Sequence, residues 1–451
     1  MELNAKNGGI LSAYDASRNY LVNKSWGPLV NLARNSILSL MKRITVGKLR
    51  ILSEQGVWEF GDLVTKDAPC AELRVINEAF WVRLLMSGDL GFAEAYMVGD
   101  FACPDLVAVF KMFIANRENL NDATTYASKI FSGINFMMNS KFVNSVKNAI
   151  NNISAHYDLS NEMFGSFLSR DMTYSCGIFD QKDSTLEQAQ YSKLHTIIGR
   201  AKLVSTDHVL EIGSGWGSFA IEAVRLTGCR VTTLTLSVEQ QKLAQDRIAA
   251  AGFSDKIQVS LCDYRNLPTP DVLYDKVVSI EMIEAVGREY LATYFECVDR
   301  LLKKEGGIGV FQVITMPETR YERYCNEVDF IRRWIFPGGH CPTVTSLVEA
   351  INKGSKNQLI VDEIQNIGGH YSKTLRLWRE KFLENFADEI RPALLKRYGG
   401  NLSNEDTLVF KRKFEFYFSY CMAGFSAKIL GDVIITVARE NTEALIEGLE
   451  Q

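Results

Sequence analysis

The chain has 451 residues, 47% of them apolar and 23% charged, with 32 Gly, 9 Pro and a formal net charge of −4. That length allows two domains with separate cores, and the composition excludes a fibrous, collagen-like or wholly disordered chain. A slightly acidic chain offers no global field to nucleic acid, and nine scattered cysteines with five dispersed histidines predict free thiols and no metal site.

The N-terminal residues lack the basic-then-apolar pattern of a signal peptide, and no apolar run reaches the roughly 18 residues of a membrane span. A cytoplasmic protein is expected, meeting any lipid from the membrane surface. Residues 28–44 open at Pro28 and place Val30, Ala33, Ile37, Leu38, Met41 and Ile44 at helical spacing, with Arg34, Lys42 and Arg43 among them. The reading preferred here is an amphipathic helix packed on its own domain; the alternative is an interfacial helix touching anionic headgroups.

A hairpin is predicted from Lys48–Ser53 and Val57–Phe60 about the turn Glu54-Gln55-Gly56, followed by helices over 76–115. Polar residues 116–124 and Asn-rich residues 135–152 then separate a lipid-associated α+β domain, 1–148, from a domain spanning 149–451. Beyond residue 200, strand and helix patterns alternate. Strands are predicted at 208–212, 229–235, 257–261, 274–280, 307–314, 359–364 and 431–437, with long helices near 372–385 and 403–428. This is an α/β pattern, a seven-stranded, doubly wound and helix-covered parallel sheet.

The first of these strands, His208–Ile212, runs directly into Gly213-Ser214-Gly215-Trp216-Gly217. Glycines at a strand-to-helix turn permit positive φ and let a ligand approach the backbone. A dinucleotide fingerprint wants Gly or Ala at the sixth position, where Ser218 stands. Glu211 also suits a cation better than a diphosphate. S-adenosylmethionine (SAM), with an ammonium, a sulfonium and no phosphate, fits that pattern. Thr235 and Gln240 stand where a ribose-binding carboxylate is usual and can hydrogen-bond the same hydroxyls. After the third strand, Asp263 and Tyr264 are placed to bond and stack on adenine.

With the cofactor loop, five further strings resemble the cyclopropane-fatty-acyl-phospholipid synthase family, which includes the mycolic acid cyclopropane synthases. They are 152–161 (NISAHYDLSN), 172–179 (MTYSCGIF), Thr235-Leu236-Ser237 with Glu239-Gln240, 279–287 (SIEMIEAVG) and 370–375 (HYSKTL). Residues 88–97 also resemble the N-terminal domain of the bacterial enzymes. The forms at 281–287, 263–265, 311–314 and 335–339 are closer to the plant-type branch. The resemblance implies a class I SAM-dependent methyltransferase that adds a methyl to a cis double bond of an unsaturated phospholipid acyl chain and closes a cyclopropane ring. A fatty-acyl or sphingolipid C-methyltransferase is the alternative, and a homodimer is left open. The resemblance also implies cofactor contacts at Tyr174, Ser175, Trp216 and Leu236, and a bicarbonate base held by Cys176, Glu284, Ile314 (through its backbone) and Tyr371. Gln312 takes the place of the family's histidine. Glu281 reads equally as a substrate contact or a structural residue, and it is the first alternative base. The aromatic stripe Phe410, Phe414, Tyr417, Phe418, Cys421, Phe425 reads as core packing in preference to an acyl-channel wall.

Overall fold

The computed structural model of the chain describes residues 27–62, 68–120, 160–398 and 402–446. It divides into two units, Met1–Ala155 with Leu408–Phe416, and His156–Thr407 with Tyr417–Gln451. The expected boundary at 148/149, the Asn-rich residues 135–152 and the string 152–159 lie outside the described residues.

In the first unit, β1 (Lys48–Ser53) and β2 (Gly56–Phe60) form the expected antiparallel hairpin, with Ser53 opposite Gly56. The Ser53 hydroxyl accepts the Gln55 N–H at 3.0 Å and closes the turn. β3 (Cys70–Val75) lies parallel to β1, and β4 (Phe101–Ala102) pairs antiparallel with β3. Helix Ala79–Val98 breaks at Gly88 and stops at Gly99, whose φ of 82° places it in the left-handed region that glycine enters without penalty. The rings of Phe92 and Phe101 lie 4.7 Å apart and those of Phe110 and Phe416 5.0 Å apart, so the Leu408–Phe416 segment completes this aromatic core.

The N-terminal helix covers 27–41, and Val30, Ala33, Ile37, Leu38 and Met41 on its apolar stripe are buried. Arg34 is ion-paired to Glu78 at 3.2 Å. A stripe already covered by protein is not free to enter a bilayer, so the packed reading describes this helix; Lys42 and Arg43, just past its end, are exposed.

The second unit carries seven strands in the order β10-β11-β9-β8-β5-β6-β7. Their ranges are β5 His208–Ile212, β6 Arg230–Thr235, β7 Ile257–Leu261, β8 Lys276–Ile280, β9 Ile308–Thr315, β10 Ile360–Asn366 and β11 Gly431–Ala438. β9, β8, β5, β6 and β7 are mutually parallel, and β11 runs antiparallel to both its neighbours. All eight residues of β11 are buried, as expected for a strand covered on both faces. One face is sealed by helices Leu291–Leu301 and Val344–Gly354, whose Phe295, Val298, Leu347 and Ile351 pack with Leu210, Val277, Phe311 and Val433. The chain steps from β5 to β6 and β7, then returns to β8 on the other side of β5. That reversal opens a crevice at the carboxyl ends of β5 and β8, where ligands bind in such sheets. Among the described residues no helix is long and apolar enough to cross a membrane.

Candidate active site

Two loops leave the sheet at this crevice. After β5, Gly213, Gly215 and Gly217 take φ of 101°, 48° and 85°. The amides of Gly213 and Ser214 both donate to the Leu234 carbonyl, at 3.1 and 2.7 Å, tying the loop to the end of β6. A side chain at Gly215 would meet nothing within 4 Å, so its outer face is open to a ligand. Below the loop, the buried Glu211 is pushed up to about 8 by burial, and its Oε2 has no hydrogen-bond partner. A buried carboxyl with one unpartnered oxygen, in the strand that runs into an open glycine turn, suits a cationic ligand with a backbone-hugging shape. S-adenosylmethionine therefore fits.

The other expected cofactor residues are distributed unevenly. The Thr235 hydroxyl donates to Gln240 Oε1 at 2.8 Å, so the two act as one unit at the end of β6. Leu236 beside them is 74% exposed. The Trp216 indole donates to Asn161 at 2.7 Å, which orients its ring. Asp263 is engaged by Arg265, whose backbone and guanidinium both donate to it (N–H at 2.9 Å, Nη2 at 2.5 Å), and this holds its carboxyl below the usual range. Tyr264 leans edge-on against Tyr294 at 5.1 Å. The carboxylate expected to bond adenine is thus held in place by Arg265. Tyr174 sits with its hydroxyl 3.0 Å from that of Tyr417, and Ser175 is buried with its hydroxyl accepting Lys193 Nζ at 2.7 Å.

After β8 comes Glu281, with φ of 47°. This is the left-handed region, costly for a non-glycine residue by about 1–3 kcal/mol. Its amide is held by the Gln312 carbonyl at 2.8 Å. Its carboxylate points into the cluster: Oε1 accepts the Cys176 N–H at 2.7 Å and the Gln312 side-chain amide at 2.8 Å, and Oε2 accepts the Tyr371 hydroxyl at 2.6 Å. Gln312 spends its second amide proton on Asp432 at 2.8 Å. Nearby, the Ile314 N–H donates to Glu284 Oε1 at 2.5 Å, while Glu284 Oε2 is buried without a partner.

The electrostatics follow from burial. Glu284 is pushed up to about 8, first by desolvation and then by the charge of Glu281. Burial and Glu281 together drive Asp432 well above the carboxylate range. Burial raises Glu281 as well, but with three donors on Glu281 and one on Asp432 the negative charge is better held on Glu281 and the proton on Asp432. Lys193, wholly buried, adds its field to Glu281, and its own proton affinity is lowered by desolvation. The Cys176 thiol is buried and shifted well above its ordinary range, so only its backbone takes part.

Of the five expected base-holding groups, Cys176, Gln312 and Tyr371 converge on one point, and Glu284 and Ile314 bond each other. The bicarbonate that the resemblance implies does not fit this arrangement. Three of its donors are taken by the Glu281 carboxylate and the fourth, the Ile314 N–H, by Glu284. Lys193 and Asp432 were missed, although both left traces. Lys193 shares the apolar stripe of helix Leu186–Arg200 with Leu186, Ala189 and Ile197, and Asp432 is the one ionisable residue in an otherwise uncharged buried strand.

With this geometry in view, the comparisons are specific. The family model for mycolic acid cyclopropane synthetase matches residues 144–433. The tuberculostearic acid methyltransferase UfaA1 of Mycobacterium tuberculosis is 34% identical over 365 residues, 79% of this chain and 81% of that protein. The cyclopropane-fatty-acyl-phospholipid synthase of Escherichia coli K12 is 33% identical over 370 residues, 82% of this chain and 87% of the relative. Among solved structures, the mycolic acid cyclopropane synthase CmaA1 complexed with SAH and CTAB superimposes with a TM-score of 0.54 at 28% identity, over 64% of this chain and 97% of that one. Match, sheet order and cofactor loop agree: the chain belongs to the mycolic acid cyclopropane synthetase family and is a SAM-dependent methyltransferase.

Proposed function

We propose that this enzyme methylates a cis double bond in the unsaturated acyl chain of a phospholipid and closes a cyclopropane ring. The observation that carries the reading is the buried Glu281 carboxylate, with three donors on it, set among aromatic rings at the crevice. Tyr371 stacks on Phe425 at 4.4 Å, Tyr174 lies 5.2 Å from Trp378, and Phe336 is 6.1 Å from Tyr417. An acyl chain has no polar handle, so its site needs apolar walls. A transient cation on that chain needs negative charge and ring faces, and its decay to product needs a base.

When bound, S-adenosylmethionine supplies the electrophilic methyl. The glycine loop, Glu211 and the Thr235–Gln240 pair hold it, with Trp216, Leu236 and Tyr264 bounding the space. Glu284, Tyr371, Gln312 and the backbone amides of Cys176 and Ile314 form the polar end of the acyl site. Exposed Lys42 and Arg43 supply the attraction to an anionic membrane surface. A methyl-branched product is the second reading, favoured by the similarity to a tuberculostearic acid methyltransferase.

Mass spectrometry of lipids from a host expressing the protein tests both. A cyclopropane product adds one CH2 to an unsaturated chain and is split by ring-opening derivatisation. A saturated methyl branch adds one CH2 and two further hydrogens, which a reductase of the host has to supply. Lipids unchanged in mass, with the protein folded and SAM present, would overturn the proposal.

A further inference from the structure

We infer that Glu281 is the enzyme's resident base, seated where a bound bicarbonate would otherwise be held, so that turnover does not depend on bicarbonate. The inference rests on the lipid-methylation reading above and names the group that completes its chemistry. Three observations support it, each separate from the others.

The first is the bonding. Of the groups suited to hold a small anion, the Cys176 N–H, the Gln312 amide and the Tyr371 hydroxyl donate to the Glu281 carboxylate, at 2.7, 2.8 and 2.6 Å, and the Ile314 N–H is taken by Glu284. Oε1 takes two of these bonds and Oε2 one, leaving Oε2 a lone pair for an incoming proton. A second anion would have to displace a covalently tethered one of the same charge.

The second is the backbone. Glu281 holds φ of 47°, where glycine would sit without strain. A strained non-glycine residue whose carboxylate takes three hydrogen bonds points to a role for that side chain. The third is the company it keeps. Burial raises the Glu281 carboxyl above its ordinary range, and against that rise the Lys193 charge and Asp432, which shares the Gln312 amide with it, favour the ionised form.

The step balances with the chain's own residues. The methyl–sulfur bond of the sulfonium breaks with its electron pair going to sulfur. The double-bond pair forms the new carbon–carbon bond, and a cation remains on the neighbouring carbon. Glu281 Oε2 then takes a proton from the new methyl, and the released C–H pair closes the ring. The proton passes to solvent before the next cycle.

The test uses the full-length chain, Glu281→Gly and Glu281→Gln. Methyl transfer from isotope-labelled SAM into extracted phospholipid is measured in buffer purged of bicarbonate and again with bicarbonate added. Wild type should turn over equally in both, within about twofold. Glu281→Gly should fold, since its backbone suits glycine, and bind SAM normally. It should lose about 100-fold or more in turnover without bicarbonate and regain at least about tenfold with it, the range expected when a positioned base is removed and then replaced. Glu281→Gln should lose as much and regain nothing, because its amide fills the seat and cannot accept the proton. Binding of isotope-labelled bicarbonate, followed by NMR without lipid, should be seen for Glu281→Gly and not for wild type.

Three results would overturn the inference: wild-type turnover that collapses on bicarbonate removal, labelled bicarbonate bound to wild type, or either variant at wild-type rate in purged buffer. If wild type yields no lipid product under any condition, the lipid reading fails, and the bicarbonate-binding measurement still decides the seat.

Discussion

At the scale of single residues, the site depends on which carboxyl group holds a proton at neutral pH. Glu284 is pushed up to about 8 by burial, and the Ile314 N–H that it accepts would be satisfied equally by an amide oxygen. Glu284→Gln therefore imitates the neutral acid. It should cost about tenfold or less at pH 7, the scale of one altered hydrogen bond, against about 100-fold or more for Glu281→Gln. Steady-state rates of the two variants measured together check this, and the opposite order would move the base to Glu284. Glu211 is also pushed up to about 8 from an ordinary 4.5. Both glutamates bind their protons more tightly folded than unfolded. Their contribution to ligand-free stability is thus fully present below 4.5 and lost as pH rises through about 8. A cation beside Glu211 reverses that preference. SAM binding at pH 7 should then release a proton, and affinity should rise with pH up to about 8 before levelling. Calorimetry in two buffers of different ionisation enthalpy measures the proton directly, and identical heats would remove Glu211 from the cofactor site.

At the scale of elements, what the sequence exposed and what it hid divide by the range of the interaction. All seven strands of the catalytic sheet were legible because each is a short buried run bounded by turn residues, and the glycine loop was legible because a strand-to-helix turn is local. The reversed direction of β11 was not legible, since pairing direction is decided by which strands it meets. Glu281 was ambiguous for the same reason. Its three partners, Cys176, Gln312 and Tyr371, lie 105, 31 and 90 residues away and come together only in the fold. Resemblance singled out those three residues and placed an external anion between them, where the Glu281 carboxylate stands. It could not show that residue 281 reaches the same point. The cofactor loop gives the clearest element-level prediction. At Gly215 a Cβ meets no neighbour, yet φ is 48°, so Gly215→Val strains a turn that a β-branched residue rarely adopts and projects into the ligand's space. SAM affinity should fall by about 100-fold or more, with the far-ultraviolet circular dichroism of the protein retained. Affinity within about twofold of wild type would remove this loop from the cofactor site.

At the scale of the whole molecule, the two units are not separable by a single cut. Helix Asn404–Ser426 starts in the catalytic unit, lends Leu408–Phe416 to the N-terminal one and then returns. Within the N-terminal unit, Phe416 packs on Phe92, Tyr96 and Phe110 with ring centroids at 6.2, 5.9 and 5.0 Å, and Glu415 accepts the Tyr96 hydroxyl at 3.0 Å. A chain beginning at residue 149 keeps every proposed cofactor and base residue, so on motif content alone it would bind SAM. The packing argues for a different outcome. Truncation strips Phe416 of these three rings, and uncovering one such side chain costs about 1.5–3 kcal/mol. The truncated chain should melt at least about 5 °C below the full chain or precipitate on purification. Replacing the newly uncovered Phe416 by Ser in the truncated chain should recover soluble, SAM-binding protein, while the same change in the full chain should destabilise it. Thermal unfolding of the four proteins, each with and without SAM, distinguishes these cases. A truncated chain with an unchanged melting midpoint would show that the 408–416 segment needs no partner from the N-terminal unit.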